Sequence, residues 1–273
     1  MIPAPFDYVR AASADEAVAA LGEHGDDAKL LAGGMSLLPL MKLRLATPAV
    51  LVDVGRLRDL SYVRDAGEHL AVGALTRHRD LETSELLGEQ CGALRAVAAE
   101  VGDNQVRHRG TIGGSVAHGD PASDLPALLL ALDASFVVRG TGGERTVEAR
   151  DFFHGFLETA LEPDELLTEI RVPKLPGAGF SYQKFNRRAQ DWATVGAIAV
   201  RNGATRVALV NMASTPVRAT GVEEALASGA SPAEAAERAA EGTEPPGDIN
   251  ATPEYREHLA RVLVRRALEA ASR

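Results

Sequence analysis

Two glycine pairs are the residues whose type and spacing bear most directly on chemistry. Gly113 and Gly114 lie in the run G-T-I-G-G-S-V-A-H-G-D-P-A-S-D-L-P over residues 110–126. A glycine in a helix interior costs roughly 1 kcal/mol and a proline about 3 kcal/mol, so this run reads as an irregular loop. Backbone without a Cβ lets a ligand approach the main chain closely, and successive bare N–H groups form an anion-binding nest. An apolar helical run over 125–132 begins directly afterwards, with Asp124 at its start. A glycine turn feeding a helix N-terminus is a common cradle for a diphosphate. A shorter counterpart, L-L-A-G-G-M-S-L over 30–37, runs from an apolar strand into Gly33 and Gly34, with Ser36 placed to N-cap the next helix. Two such turns suggest two walls gripping one extended, doubly phosphorylated ligand. Two tight turns without a ligand stay open as the alternative.

Other candidates are weaker. His118, Asp120 and Asp124 lie in one loop, whereas a metal site needs convergent ligands from several places, and Asp120 before Pro121 suits a turn. Ser36 and Ser115 have no G-x-S-x-G elbow around them and no assignable base. The third notable stretch is K-F-N-R-R-A-Q-D-W-A over 184–193, which holds one of only four lysines, Lys184, and the sole tryptophan, Trp192. A flat aromatic beside a charge cluster could cover a planar cofactor ring; packing of a strand-end indole against the C-terminal helices is the other reading. The usual dinucleotide fingerprint G-x-G-x-x-G and the P-loop are both absent.

Composition narrows the classes. The 273-residue chain has a net charge of −9 and no basic cluster interleaved with aromatics, which argues against a nucleic-acid partner. A single cysteine, Cys91, cannot make an internal disulfide or hold an iron–sulfur cluster alone. The N-terminus lacks the pattern of a secretory signal, and the apolar runs are too short to span a membrane, so a cytoplasmic protein is the expectation.

The elements that must position these residues follow from the pattern. Residues 6–10 read as a strand, 14–21 as a helix with a Ser13/Glu16 capping box, 28–32 as a buried strand, 36–45 as an amphipathic helix and 49–54 as a further strand. Residues 61–64 and 69–72 form a hairpin, 77–87 and 93–101 helices, 135–139 and 145–149 another hairpin, and 166–172 a strand ended by Pro173. The Pro/Gly run 173–179 is a linker. Beyond it, strands over 180–185, 194–201 and 206–212 make an antiparallel sheet with Asn202 and Gly203 at a hairpin turn, followed by helices over 222–227, 233–240 and 255–271.

The stretches 32–45 (A-G-G-M-S-L-L-P-L-M-K-L-R-L) and 105–126 (Q-V-R-H-R-G-T-I-G-G-S-V-A-H-G-D-P-A-S-D-L-P) resemble the two flavin-binding signatures of molybdenum hydroxylases, and 184–193 resembles that family's third. The likeness is strongest to FAD-binding medium subunits of the carbon monoxide dehydrogenase type. It extends to the flavin domain of xanthine dehydrogenase and covers essentially the whole chain. It implies an α+β fold of the PCMH, vanillyl-alcohol-oxidase-like type. Two FAD-binding subdomains, 1–55 (α/β) and 56–173 (α+β), precede a C-terminal domain, 174–273, of a three-stranded antiparallel sheet with helices.

By the same resemblance, Ala32, Gly33, Gly34, Met35 and Ser36, flanked by Leu30, Leu31 and Leu37, bind the FAD diphosphate from one wall. Thr111, Ile112, Gly113, Gly114 and Ser115 bind it from the other. Asp124 matches an acid that contacts FAD, Val101 and Leu167 line the cofactor, Lys184 matches a lysine near the flavin, and Trp192 falls where an aromatic shields the isoalloxazine. Met35 stands where His or Gln is common and Ser115 where Asn is common; both changes trim a polar side chain and keep the backbone donors, so they tune affinity or potential.

The implied role is electron transfer with no catalytic residue of its own. The partners would be a small 2Fe-2S subunit and a large molybdopterin subunit, in a hetero-oligomer that is a dimer of heterotrimers. Electrons would leave to NAD, a quinone or oxygen. The alternatives from other classes are a stand-alone FAD-dependent oxidase and a cofactor-free scaffold subunit.

Overall fold

The computed structural model describes residues 2–272. The N-terminal unit is a three-stranded parallel sheet with Val50–Asp53 in the middle, flanked by Asp7–Arg10 and Ala28–Leu31. The central strand is the apolar one, since a strand covered on both faces buries every side chain. Helix Ala14–His24 packs Ala17, Val18 and Leu21 against it. Its cap differs in detail from expectation. Ser13 accepts from the Glu16 N–H at 3.2 Å, but the Glu16 carboxylate reaches past the cap to the Ala12 N–H at 2.8 Å.

The middle unit is a five-stranded antiparallel sheet in the order Val63–Asp65, His69–Gly73, Leu166–Pro173, Ser135–Gly140, Gly143–Glu148. The single helix expected over 77–87 is two, His78–Thr83 and Glu85–Gln90, because Ser84 turns extended and caps the second through the Leu87 N–H at 3.2 Å. Helix Gly92–Ala99 and helix Asp124–Ala131 pack side by side. Every residue of Asp124–Ala131 is buried. A helix apolar all round must be enclosed, and this one lies between the middle unit and the C-terminal sheet.

That C-terminal sheet has four strands rather than the expected three: Gly179–Phe185, Val195–Asn202, Ala204–Val210 and the two-residue Val217–Arg218, all antiparallel. The last strand is too short to show as a run of alternating residues. One face of the sheet sends Ile198, Val200, Ala208 and Val210 into the core shared with Leu125 and Leu128. The other face packs Ala197, Ala199, Val207 and Leu209 against the long helix Pro253–Ala271 through Leu263, Val264 and Ala267.

The clearest departure concerns the second glycine run. Residues Ile112–His118 are an α-helix, with Gly113 and Gly114 in its first turn. Propensity fails here because glycine costs most in an exposed helix interior, whereas tertiary contacts hold this short one.

Candidate functional site

The first glycine turn is built by strand Ala28–Leu31 running out beside Val50–Asp53, with Val54 donating to the Leu31 carbonyl at 3.0 Å. Leu30, Leu31 and Ala32 are half-buried as the chain leaves the sheet. Gly33 is buried hard against the other wall: a Cβ there would sit 2.2 Å from the Arg109 carbonyl oxygen and 2.9 Å from Gly110 Cα. The two glycine turns therefore touch, and only a residue without a side chain allows it. Helix Leu37–Lys42 follows. Ser36 holds its N-cap position but its side chain makes no cap bond, contrary to expectation. Among the described residues, the backbone N–H groups of Gly33, Gly34, Met35, Ser36 and Leu37 find no protein acceptor. A row of free donors at a helix start is an anion nest.

The second turn is organised differently. Thr111 Oγ1 caps helix Ile112–His118 by accepting from the Gly114 N–H at 3.1 Å. The Ile112 N–H goes to the Thr76 carbonyl at 3.0 Å and the Gly113 N–H to the Ala74 carbonyl at 2.8 Å. A Cβ on Gly113 would lie 2.5 Å from that of Ala74, so the bare face of Gly113 meets the chain just beyond strand His69–Gly73. Gly114 is exposed, with Ser115 half-buried beside it. The surface this wall presents is thus the Gly114 and Ser115 side of the helix start. Behind it, His78 is 4% exposed and backs Gly110, its Nδ1 lacking a partner among the described residues. Burial, aided by the Arg107 charge, pushes its pKa down to about 4.

Asp124, Lys184 and Tyr182 form one buried group. Lys184 Nζ donates to Asp124 Oδ2 at 2.8 Å and to the Glu100 carbonyl at 2.9 Å, and the Tyr182 hydroxyl donates to Asp124 Oδ1. Both side chains of the ion pair are less than a tenth exposed. Burial raises the Asp124 carboxyl above the ordinary carboxylate range against the pull of Lys184, and lifts the Tyr182 hydroxyl well above its usual value. Lys184 thereby ties the C-terminal sheet to the end of helix Gly92–Ala99, where Val101 packs half-buried on the core. Leu167 is buried in the same core, next to a bulge in strand Leu166–Pro173.

Trp192 stands 55% exposed in the loop between Gly179–Phe185 and Val195–Asn202. It borders a cavity of about 550 Å³ that Asp120, Phe156, Asn211, Asp248 and Arg256 also line. His118, Asp120 and Asp124 do not converge: Asp120 takes the Ala122 N–H at 2.8 Å in a turn, and Asp124 is paired with Lys184. Among the described residues no three metal-ligating side chains cluster. Sequence reasoning missed Tyr182, His78, Asn211 and Arg256. Only Tyr182 left a signal, because residues two apart on a strand share a face, and Lys184 was already marked. Asn211 and Arg256 reach carbonyls of residues 193 and 194 from 18 and 62 positions away, and His78 meets Gly110 only in the fold.

Residues 4–175 match the family described as the FAD binding domain in molybdopterin dehydrogenase, and residues 180–271 match the CO dehydrogenase flavoprotein C-terminal domain. The chain belongs to this family of molybdenum hydroxylase flavoproteins. It is 44% identical to the carbon monoxide dehydrogenase medium chain of Hydrogenophaga pseudoflava, over 99% of this chain and 98% of that one. It is 37% identical to the alpha subunit of the 6-hydroxypseudooxynicotine dehydrogenase complex of Paenarthrobacter nicotinovorans, over 99% and 96%. The solved carbon monoxide dehydrogenase from Hydrogenophaga pseudoflava, a form lacking the Mo-pyranopterin moiety, superposes with a TM-score of 0.96 at 44% identity, covering 100% of this chain and 99% of that one.

The fold class is therefore that of the family, the cofactor is FAD, and the chain is the medium, flavin-binding subunit of an oxidoreductase complex. The residues fit such a cofactor: five N–H donors at a helix start lack a protein acceptor, and Gly33 at their head packs on Arg109 and Gly110 of the opposite wall, which suits a diphosphate.

Proposed function

We propose that this chain is the electron-transfer subunit of a molybdenum hydroxylase, carrying FAD between a small 2Fe-2S subunit and an external acceptor, while a large molybdopterin subunit oxidises the substrate. The observation that carries the assignment of the diphosphate is the row of free N–H groups over 33–37, which begins where Gly33 packs on Arg109 and Gly110 at the entry to the second glycine run. Gly33, Gly34, Met35, Ser36 and Leu37 bind the phosphates. Thr111 fixes the helix whose Gly114 and Ser115 close the opposite side, with Ile112 and Gly113 anchoring that helix to Thr76 and Ala74. Leu30, Leu31 and Ala32 set the angle of approach, Val101 and Leu167 supply apolar walls, Asp124 and Lys184 hold the base of the ring site, and Trp192 lies against the ring.

When bound, the flavin supplies the ability to take electrons singly from an iron–sulfur centre and release them singly or as a pair; the protein orients it and keeps water out. The acceptor is NAD, a quinone or oxygen, the complex is a dimer of heterotrimers, and it works in the cytoplasm. In keeping with this, among the described residues no helix is long and apolar enough to cross a membrane. The two relatives named above differ in substrate, so their names set no substrate for this complex. The test is the FAD content of the purified complex. Gly33→Val should reduce bound FAD to a small fraction of wild type, because a side chain there must push the two turns apart, and a thermal melt of the FAD-free protein reports how much of that loss is misfolding. Stoichiometric FAD in that variant would remove the diphosphate from this site.

A further inference from the structure

The loop that carries Trp192 is held at both ends by one bracket of the C-terminal domain. At its foot the Thr194 N–H donates to the Phe185 carbonyl at 2.7 Å, closing the loop onto the strand ladder. The next two carbonyls are clamped from the side: Asn211 Nδ2 donates to the Ala193 carbonyl at 2.8 Å, and Arg256 Nη1 donates to the Thr194 carbonyl. Asn211 is itself fixed, with φ 61 and its N–H on the Pro121 carbonyl at 2.9 Å. Arg256, in the first turn of helix Pro253–Ala271, is the bulkiest fully buried side chain among the described residues. Its Nη2 donates to Asp248 Oδ2 at 2.8 Å, while its Nε finds no partner.

Asp248 also accepts from the Asn250 N–H at 2.8 Å, and Asn250 Oδ1 accepts from Arg187 Nη1 at 3.0 Å at the other end of the same loop. A buried guanidinium with an unsatisfied donor is an expensive fastener, since an apolar core side chain would fill the space without desolvating a charge. Its planar fork offers direction instead, reaching a carbonyl and a carboxylate at fixed angles. All these hydrogen bonds at the foot fall on Ala193 and Thr194, the two residues directly after Trp192, and none is made to the indole.

We propose that Asn211, Arg256 and Asp248 are positioning residues that set the pose of Trp192 and, through it, the cover on the flavin ring. The inference rests on the reading that Trp192 lies against that ring, and the test separates the two. In the FAD-loaded complex, Trp192→Ala should raise flavin fluorescence several-fold, because an indole in contact with the ring quenches it. Asn211→Ala and Arg256→Gln should keep full FAD content, raise fluorescence in the same direction, shift the flavin midpoint potential as Trp192→Ala does, and speed hydrogen exchange over residues 186–194. Arg256→Lys, which keeps a donor for the Thr194 carbonyl, should return the signal part of the way to wild type.

If Trp192→Ala moves fluorescence while Asn211→Ala and Arg256→Gln leave both fluorescence and potential at wild-type values, the positioning role is overturned. Unchanged fluorescence in Trp192→Ala would overturn the ring contact itself, and with it the functional meaning of the clamp. Should Arg256→Gln fail to assemble, Asn211→Ala and Asn250→Ala decide the question by the same readouts.

Discussion

Asp124 and Lys184 show how a residue recognised in sequence acquires its meaning only from its partners. The family resemblance assigns each to the cofactor, yet they meet each other, 60 positions apart, inside the protein. A buried pair is stable as a pair and costly when broken, about 3–5 kcal/mol for loss of one member. Lys184→Met should therefore lower stability by that order, with Asp124 left as an uncompensated carboxyl beside Tyr182. Lys184→Met combined with Asp124→Leu should cost less than the sum of the single changes, and urea titration of the four proteins gives the coupling. His78 supplies a part of the pH dependence, and burial shifts the half-buried His118 in the same direction. The folded His78 pKa of about 4 lies below the ordinary histidine value near 6.5, so below about pH 6.5 the unfolded chain binds a proton the folded one refuses. Stability is then full above about pH 6.5 and falls as the pH drops towards 4, by up to about 1.4 kcal/mol per pH unit. His78→Gln, which cannot titrate, should flatten that part of the profile in denaturation measured between pH 7 and 4.5. Gly33 and Trp192 stand out in the sequence by type and position, and the family resemblance gives them their cofactor roles. His78 and Arg256 were not, because a lone histidine or arginine declares its burial only after the chain has folded around it.

At the scale of the element, the second glycine turn is the instructive case. Composition argued for an irregular loop, and the chain makes a helix, Ile112–His118. The reason is local and tertiary together. Thr111 caps it, Gly119 ends it at φ 65, and the N–H groups of Ile112 and Gly113 borrow the carbonyls of Thr76 and Ala74. Gly113 is then glycine because the segment after strand His69–Gly73 occupies the place of its side chain. Its replacement should act on the fold before it acts on the ligand. Gly113→Val is expected to force the helix off Ala74 and lower the melting temperature of FAD-free protein. Gly114→Ala, whose Cβ meets no backbone but presses on the capping Thr111 hydroxyl at 2.8 Å, should lower that melting temperature less than Gly113→Val does and weaken FAD retention. Thermal melts with and without flavin separate the two effects. Hairpins and long strands were readable because alternation and turn residues are local. The split at Ser84 and the two-residue strand Val217–Arg218 were not, since each depends on what packs alongside.

For the whole molecule, the question is whether the C-terminal part is an appendage or a component of the flavin-binding core. The linker composition over 173–179 and the two family segments, 4–175 and 180–271, suggest separable units. The packing says otherwise. Helix Asp124–Ala131 is buried along its whole length, and part of its cover is the C-terminal sheet, through Ile198, Val200, Ala208 and Val210. The carboxyl at its N-terminus is satisfied by Tyr182 and Lys184 from that same sheet. A fragment of residues 1–175 would expose this apolar face, at roughly 1.5–3 kcal/mol for each large side chain uncovered, and would strip Asp124 of both its side-chain partners. Those losses together rival the 5–15 kcal/mol by which a domain is stable at all. The fragment is therefore expected to lack a cooperative thermal transition and a native near-UV circular dichroism signal, and to bind an apolar dye. A sharp melt and native near-UV signal in residues 1–175 would show that the two glycine walls stand without the sheet behind them. Lys184 and Trp192 would then be additions to a flavin site already complete rather than parts of the frame that shapes it.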